Sequence, residues 1–368
     1  MTMQFGLTEE QQELMTAVRT LVQRRAADRD LRSVVADGSG YDDDLWRAVT
    51  EQIGAAALAV PEEYGGGGFT SLETHLVLEV LGAALTPSPL LGSGVLATQA
   101  LLLAAAPADC ARLLPAMATG ERIAALAWAD TAGRWRLDGS DVHAAAPGEG
   151  WRLSGSARLV LDGAAADVVL VVATTPTGAG LFEVAPDAAG LTRTPTPALD
   201  PTLRFATVEF DDVPATALSL DAGAALAQLW SRAAVAVTAL QVGGAQRALD
   251  DTVAHLKERT QFGRPLGSFQ ALKHRVADVL VSVETARSIS WAAAWAAARN
   301  APDLTTEAAR AKAWCSEAFS HAAGEMVQLH GGIGITWEHD AQLYFKRAHA
   351  TSHLFGSADE HLRVLAPI

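Results

Sequence analysis

The sequence predicts an α+β chain in three parts: a helical domain over residues 1–120, a small β domain over 121–221 and a four-helix bundle over 222–368. Three observations carry this. Apolar residues recur at helical spacing up to about Ala118. The texture then changes to short alternating or wholly apolar runs cut by Gly, Asp and Pro. Beyond Asp221 four long helical stretches fill the rest of the chain. A length of 368 residues is ample for two or three domains.

Thr8-Glu9-Glu10-Gln11 fits a capping box, and Leu14, Val18, Leu21 and Val22 come after it at helical spacing, so the chain opens with an amphipathic helix. A second helix runs through Leu45, Trp46 and Val49 and ends near Gly54. After Pro61-Glu62-Glu63-Tyr64 comes a flexible glycine run, Gly65 to Gly68. No Lys-Ser/Thr follows it, so it is not a P-loop, and no GxGxxG follows a predicted strand. Helical pattern resumes at Ser71 and is broken at Pro87 and Pro89.

In the β domain Trp151-Arg152-Leu153, Arg158 to Leu161, Val168 to Ala173 and Ala206 to Phe210 read as strands. Val168 to Val172 is apolar on both faces, which predicts a central strand. Asp211-Asp212-Val213-Pro214 is expected to close the domain. The bundle helices span Ala222 to Arg259, Phe269 to Asn300, Thr305 to His330 and Asp340 to His353. In the second, Phe269, Leu272, Val276, Val279, Leu280 and Val283 form one predicted core stripe.

A net charge of −14 argues against nucleic acid or an anionic membrane as the main partner. With 49% hydrophobic and 19% charged residues the chain is not disordered. No uninterrupted apolar run approaches the ~20 residues of a membrane span. The N-terminus has no secretory pattern, so a cytoplasmic protein is expected. Cys110 and Cys315 lie far apart with no metal spacing, and read as reduced, buried side chains.

The domain order and several motifs resemble the acyl-CoA dehydrogenase family of flavoproteins over nearly the whole chain. The motifs are Leu7-Thr8-Glu9-Glu10-Gln11, Pro61-Glu62-Glu63-Tyr64-Gly65-Gly66, Phe210-Asp211-Asp212-Val213 and Gln246-Arg247-Ala248-Leu249-Asp250. The most specific are Arg259-Thr260-Gln261-Phe262-Gly263-Arg264-Pro265-Leu266 with Gln270 beyond it, and Gln328-Leu329-His330-Gly331-Gly332-Ile333-Gly334. The resemblance implies FAD as cofactor. It places Arg259, Phe262, Gln270 and Gln328, with Gly331 and Gly332 beside them, on the nucleotide of a flavin held mainly by a neighbouring subunit. The chemistry agrees: an Arg fork neutralises a diphosphate, and bare glycines let backbone N–H groups approach it.

The reaction implied is α,β-desaturation of an acyl-CoA thioester. A Glu carboxylate removes the Cα proton as hydride leaves Cβ for the flavin. This chain departs from the pattern at that base. The segment resembling the family's Tyr-Glu-Gly-Thr is Leu354-Phe355-Gly356-Ser357, which puts Gly356 at the Glu position. The family's other position, in the first bundle helix, falls on Ala233 and Ala234. The flavin-side segment resembling Thr-Glu-Pro-Gly becomes Ala129-Asp130-Thr131-Ala132-Gly133, and the Trp-Ile-Thr strand becomes Leu159-Val160-Leu161.

The residues for holding its own flavin ring are therefore missing, whereas those lent to a neighbour's FAD are present. The expectation is a non-catalytic member of a heteromeric acyl-CoA dehydrogenase, as in actinobacterial heteromers acting on steroid side-chain CoA esters. The implied partners are a paralogous subunit in an α2β2 heterotetramer, an acyl-CoA substrate and electron-transfer flavoprotein as acceptor, with no nucleic acid. Two rival readings stand beside it: a self-sufficient homotetramer whose base is Asp359 or Glu360, and a flavin-free binding or scaffold homologue. Bland readings are available for the remaining candidates. His349 and His353 lack an evident third metal ligand, and Ser93 lies outside a nucleophile-elbow frame. Trp291 and Trp295 read as packing. The basic cluster Arg264, Lys273, His274 and Arg275 reads equally as phosphate contact or helix surface.

Overall fold

The computed structural model describes residues 6–28, 31–36, 41–148 and 150–366. The first five residues, on which the expected absence of a leader rests, lie outside them. Helix α1 (Glu9–Asp28) starts at the predicted box: the Gln11 N–H donates to Thr8 Oγ1 at 3.2 Å and the Thr8 N–H to Gln11 Oε1 at 3.0 Å. Next come α2 (Leu31–Ala36) and α3 (Asp43–Glu51), the latter capped by Asp42 and burying Leu45, Trp46 and Val49.

The glycine run is tight rather than flexible. The N–H groups of Gly66, Gly67 and Gly68 donate to Pro61, Ala57 and Val60 carbonyls at 3.1, 2.8 and 2.9 Å. A Cβ on Gly66 would lie 2.0 Å from the Val60 oxygen, so close backbone approach requires glycine there. Helix α4 (Ser71–Ala83) comes next, and the chain breaks before Pro87 and Pro89 as predicted. Beyond Pro89 lie a π-helix (Leu90–Ala97), α5 (Thr98–Ala104) and α6 (Pro107–Ala118).

The β domain holds β1 (Ala124–Ala127), β2 (Val142–Gly148), β3 (Gly150–Leu161), β4 (Val168–Thr175), β5 (Gly178–Val184), β6 (Leu191–Thr196) and β7 (Phe205–Ser219). Strands pair in the order β1-β4-β2-β3-β7-β5, and an additional β4–β5 pairing closes the sheet into a barrel, with β6 alongside β7. Strand β4 is central, as its two-sided apolar pattern requires. Val169 and Val171 face the barrel core, while Val168, Leu170 and Val172 pack with the helical residues. Asp211 to Pro214 do not close the domain. Strand β7 runs through them to Ser219, because Pro214 opposes Arg152 within the β3 ladder rather than breaking it.

The bundle comprises α7 (Gly223–Glu258), α8 (Gln270–Ala298), α9 (Leu304–His330) and α10 (Ala341–His353), followed by α11 (Ala358–Leu365). A two-residue hairpin, β8 (Thr260–Gln261) and β9 (Arg264–Pro265), joins α7 to α8. By length and composition α7 could cross a membrane, but its apolar stretch is mostly buried among the other helices, as in a core helix. The predicted α8 stripe is narrower than expected: Val279 and Val283 are buried, whereas Leu280, about 100° further round, is 47% exposed.

A buried ion pair fastens the β domain to the bundle. Arg347 of α10 donates Nε–H to Asp200 at 2.5 Å, and Thr202 bonds to both. Asp200→Ala leaves a buried guanidinium without its countercharge and is expected to cost about 3–5 kcal/mol, read as a lower denaturation midpoint. Paired replacement by Leu and Met is expected to cost much less.

Candidate functional site

The six residues assigned to a neighbour's FAD gather at one end of the bundle. Arg259 follows α7 directly, and the hairpin turn places Phe262 (φ 53°) 90% exposed. The Arg264 guanidinium lies 4.0 Å from the centre of the Phe269 ring, against which Phe262 stands edge-on at 6.2 Å. Gln270 opens α8, within 3.1 Å of His274 Nε2, and Gln328 stands exposed in the last turn of α9. Gly331 then adopts φ 64°, ψ −140°, a conformation favouring glycine.

Two links bring these ends together. Arg275 and Glu325 form a bidentate pair, 2.7 Å for each bond, joining the start of α8 to the end of α9. His255 stacks on His330 at 4.2 Å, joining the ends of α7 and α9, and His339 continues the column at 4.4 Å. Burial pulls His255 and His330 below the ordinary imidazole range. Sequence reasoning missed it. Its one local signal is His330 preceding the glycine pair, since the other members come from distant parts of the chain.

This end has the chemistry a diphosphate needs. The Arg259 and Gln328 side chains have no hydrogen-bond or ion-pair partner among the described residues. A Cβ at Gly331 or Gly332 would meet nothing within 4 Å, so the turn is open to an approaching ligand. Of the basic cluster, Arg275 is committed to Glu325, Arg264 to Phe269 and His274 to Gln270.

The segments matched to the chain's own flavin ring are closed on themselves. Asp130 is fully buried and accepts from the Ala132 and Arg134 N–H groups and from Arg134 Nε, each at 2.9 Å. Leu159 (φ 51°) lies against this turn, its Cδ1 3.2 Å from where a Cβ on Gly133 would sit. Trp135 packs on Phe355 with ring centres 4.7 Å apart. Between Leu161, Asp162 and Gly92 only about 20 Å³ of cavity remains, and Asp162 there pairs with Arg204 at 3.2 Å.

Position 356 is walled in. Gly356 has φ 103°, and a Cβ there would lie 2.9 Å from His361 Nε2 and 3.1 Å from Trp230. These two rings stack at 4.4 Å and 10°. The His361 Nε2–H donates to the Phe355 carbonyl at 2.9 Å, and burial pulls this imidazole down to about 4. Beneath them Lys312 is fully buried and donates to the carbonyls of Gly356 and Ser352 and to Ser316 Oγ at 2.9, 3.0 and 3.1 Å.

Burial pulls Lys312 from 10.5 down to about 7. Between those values the unfolded chain binds one more proton than the folded one, so raising the pH stabilises the fold. Denaturation midpoints are expected to rise from pH 7.5 to 9.5 more steeply in the natural chain than in Lys312→Met.

The alternative bases stand differently. Asp359 is exposed at the start of α11. Glu360 closes a capping box: Oε2 accepts the Ser357 N–H at 2.8 Å and its hydroxyl at 2.9 Å. These bonds, the backbone one foremost, hold Glu360 below the ordinary carboxylate range, whereas a base for a Cα proton needs raising. Glu360→Ala is expected to cost about 1 kcal/mol of stability and to leave turnover of the assembled enzyme unchanged. Ala233 and Ala234 are fully buried in the bundle core.

Among the described residues no group of three His, Cys, Asp or Glu side chains could hold a metal, and His349 packs on Phe345. Ser93 is buried and accepts the Ala124 N–H. Trp291 donates to Glu79 at 3.0 Å, and Trp295 packs within the bundle. Both cysteines are free and buried.

The barrel between two helical domains, with these motifs at the bundle end, defines an acyl-CoA dehydrogenase fold. The chain belongs to the acyl-CoA dehydrogenase family: its N-terminal domain matches residues 8–121 and its C-terminal domain residues 224–367. The chain is 41% identical over 363 residues to acyl-CoA dehydrogenase IpdE2 of Mycobacterium tuberculosis, covering 97% of this chain and 96% of the relative. Among solved structures it is similar to the steroid ACAD Tcur3481-Tcur3483, with 34% identity, TM-score 0.89 and coverage of 98% and 97%. It is also similar to the ChsE4-ChsE5 complex from Mycobacterium tuberculosis, with 32% identity, TM-score 0.89 and coverage of 99% and 98%.

Proposed function

We propose that this chain is the non-catalytic subunit of a heteromeric, FAD-dependent acyl-CoA dehydrogenase in the cytoplasm. A paralogous partner in an α2β2 heterotetramer supplies the catalytic base and the flavin-ring pocket. This chain contributes Arg259 to the FAD diphosphate, the Phe262 ring and the Gln270 and Gln328 amides to the nucleotide, and the open Gly331–Gly332 backbone beside it. FAD, when bound, supplies the hydride acceptor. The substrate is a CoA thioester, in keeping with the steroid ACAD among its structural relatives, and electron-transfer flavoprotein takes the electrons.

The observation that carries the reading is the asymmetry between the two regions. Arg259 and Gln328 stand free at an open glycine turn, whereas Gly356 is enclosed by Trp230, His361 and Lys312. The test is to purify the chain alone and co-expressed with its paralogue, then measure flavin per chain and desaturation of acyl-CoA. The complex should carry FAD and turn over. Stoichiometric flavin with turnover in the lone chain overturns the assignment.

A further inference from the structure

Six buried side-chain polar atoms have no hydrogen-bond partner among the described residues, and four of them line one cavity. They are Ser71 Oγ, Thr74 Oγ1, His75 Nδ1 and Arg232 Nε. The cavity lies between α4, the π-helix, α7 and the end of α8, far in sequence from the residues assigned to FAD. Its volume is about 30 Å³, enough for one chloride ion or two waters on the criterion of about 10–15 Å³ per water-sized occupant. Thr74 is 4% and His75 2% exposed, and although Ser71 and Arg232 are partly exposed, the four atoms themselves are shut off from bulk water.

The charge of this cavity is one-sided. No Asp or Glu lines it, and Arg232 forms no ion pair with a described carboxylate. The two Nη groups of Arg232 reach the Ala297 carbonyl and Asn300 Oδ1 at the end of α8, which supplies only partial negative charge. The inward Nε–H is left over. The Nη end of Arg232 is partly exposed, but its inward Nε–H is shut off from water and calls for an acceptor, best a negatively charged one.

We propose that this cavity binds a small monovalent anion of chloride size, held by Arg232 Nε–H, the Ser71 and Thr74 hydroxyls and His75 Nδ1–H. His75 is neutral, since burial pulls it down to about 3, so it carries one ring proton. His75 Nε2 lies 3.0 Å from Ser290 Oγ, which lies 2.7 Å from Thr238 Oγ1. The anion selects the tautomer in which Ser290 donates to Nε2 and the Nδ1 proton faces the cavity; Thr238 then donates to Ser290, and the Val235 carbonyl 2.7 Å away gives up its bond from that hydroxyl. All four unpartnered atoms then act as donors to one acceptor, and the guanidinium charge is balanced. Two waters satisfy the same atoms without balancing it.

Crystals of the full chain grown with bromide in place of chloride test this. An anomalous peak between Arg232, Thr74 and His75 is expected, and density there without anomalous signal overturns the site. In solution, chloride added to a gluconate buffer should raise the melting temperature of the natural chain, and Arg232→Gln should abolish the response. Should that variant not fold, Thr74→Val keeps the shape and loses one donor. Its chloride midpoint should rise on the order of tenfold, as for a lost hydrogen bond to a charge. A chloride response with the same midpoint in Thr74→Val also overturns the site.

Discussion

Gly356→Glu is expected to leave the lone chain inactive and to destabilise it. The position has φ 103°, where an L side chain is strained by about 1–3 kcal/mol. The new Cβ would also press on His361 Nε2 at 2.9 Å and on Trp230 at 3.1 Å, and overpacking adds about 1–3 kcal/mol. Urea denaturation should show a combined loss of about 2–6 kcal/mol, with no desaturation of any acyl-CoA. Relieving the crowding with Trp230→Ala and His361→Ala is expected not to bring activity back. Leu159 still lies on the Ala129 to Gly133 turn, and Trp135 still covers Phe355. Turnover by the single variant, at the rate of the complex, would show that the ring pocket is open after all.

Arg259→Ala is expected to have the largest effect on cofactor binding in the assembled complex. The side chain is exposed and free in this chain, so its loss should scarcely alter folding. Each hydrogen bond to a charged group contributes about 1.5–3 kcal/mol, so a lost guanidinium contact should weaken FAD between roughly tenfold and about 150-fold. Equilibrium dialysis of the co-purified complex measures this. Arg259→Lys should fall between, because a point charge replaces a fork. Unchanged FAD affinity in Arg259→Ala, with the complex intact, would remove this chain from the cofactor site.

Local signals are legible in the sequence. The Thr8–Gln11 capping box depends on four consecutive residues, and the two-sided apolar run of β4 depends on five. The breaks at Pro87 and Pro89 stem from the missing N–H and the ring clash of proline. The π-helix after them is not legible, because its longer hydrogen-bond spacing is set by packing. The glycine run looks flexible because sequence shows conformational freedom and hides the Val60 carbonyl pressed against Gly66.

The candidate sites divide in the same way. Arg259, Gln328 and the glycine pair stand out as contiguous motifs, and the missing glutamate as a gap in one. The enclosure of Gly356 is invisible, since Trp230, Lys312 and His361 come from three separated helices and carry no shared spacing. The His255–His330–His339 column and the polar cavity beside Arg232 are likewise products of tertiary contact.

Helix α7 also sets how separable the two regions are. It runs unbroken for 36 residues, about 54 Å, with Trp230 near its start and Arg259 just past its end. The end beside Gly356 and the end bearing Arg259 are therefore roughly 40 Å apart along one stiff strut. At that range substitutions act additively. A substitution around Gly356 is therefore not expected to change the cost of one at Arg259, so long as the helix between them holds.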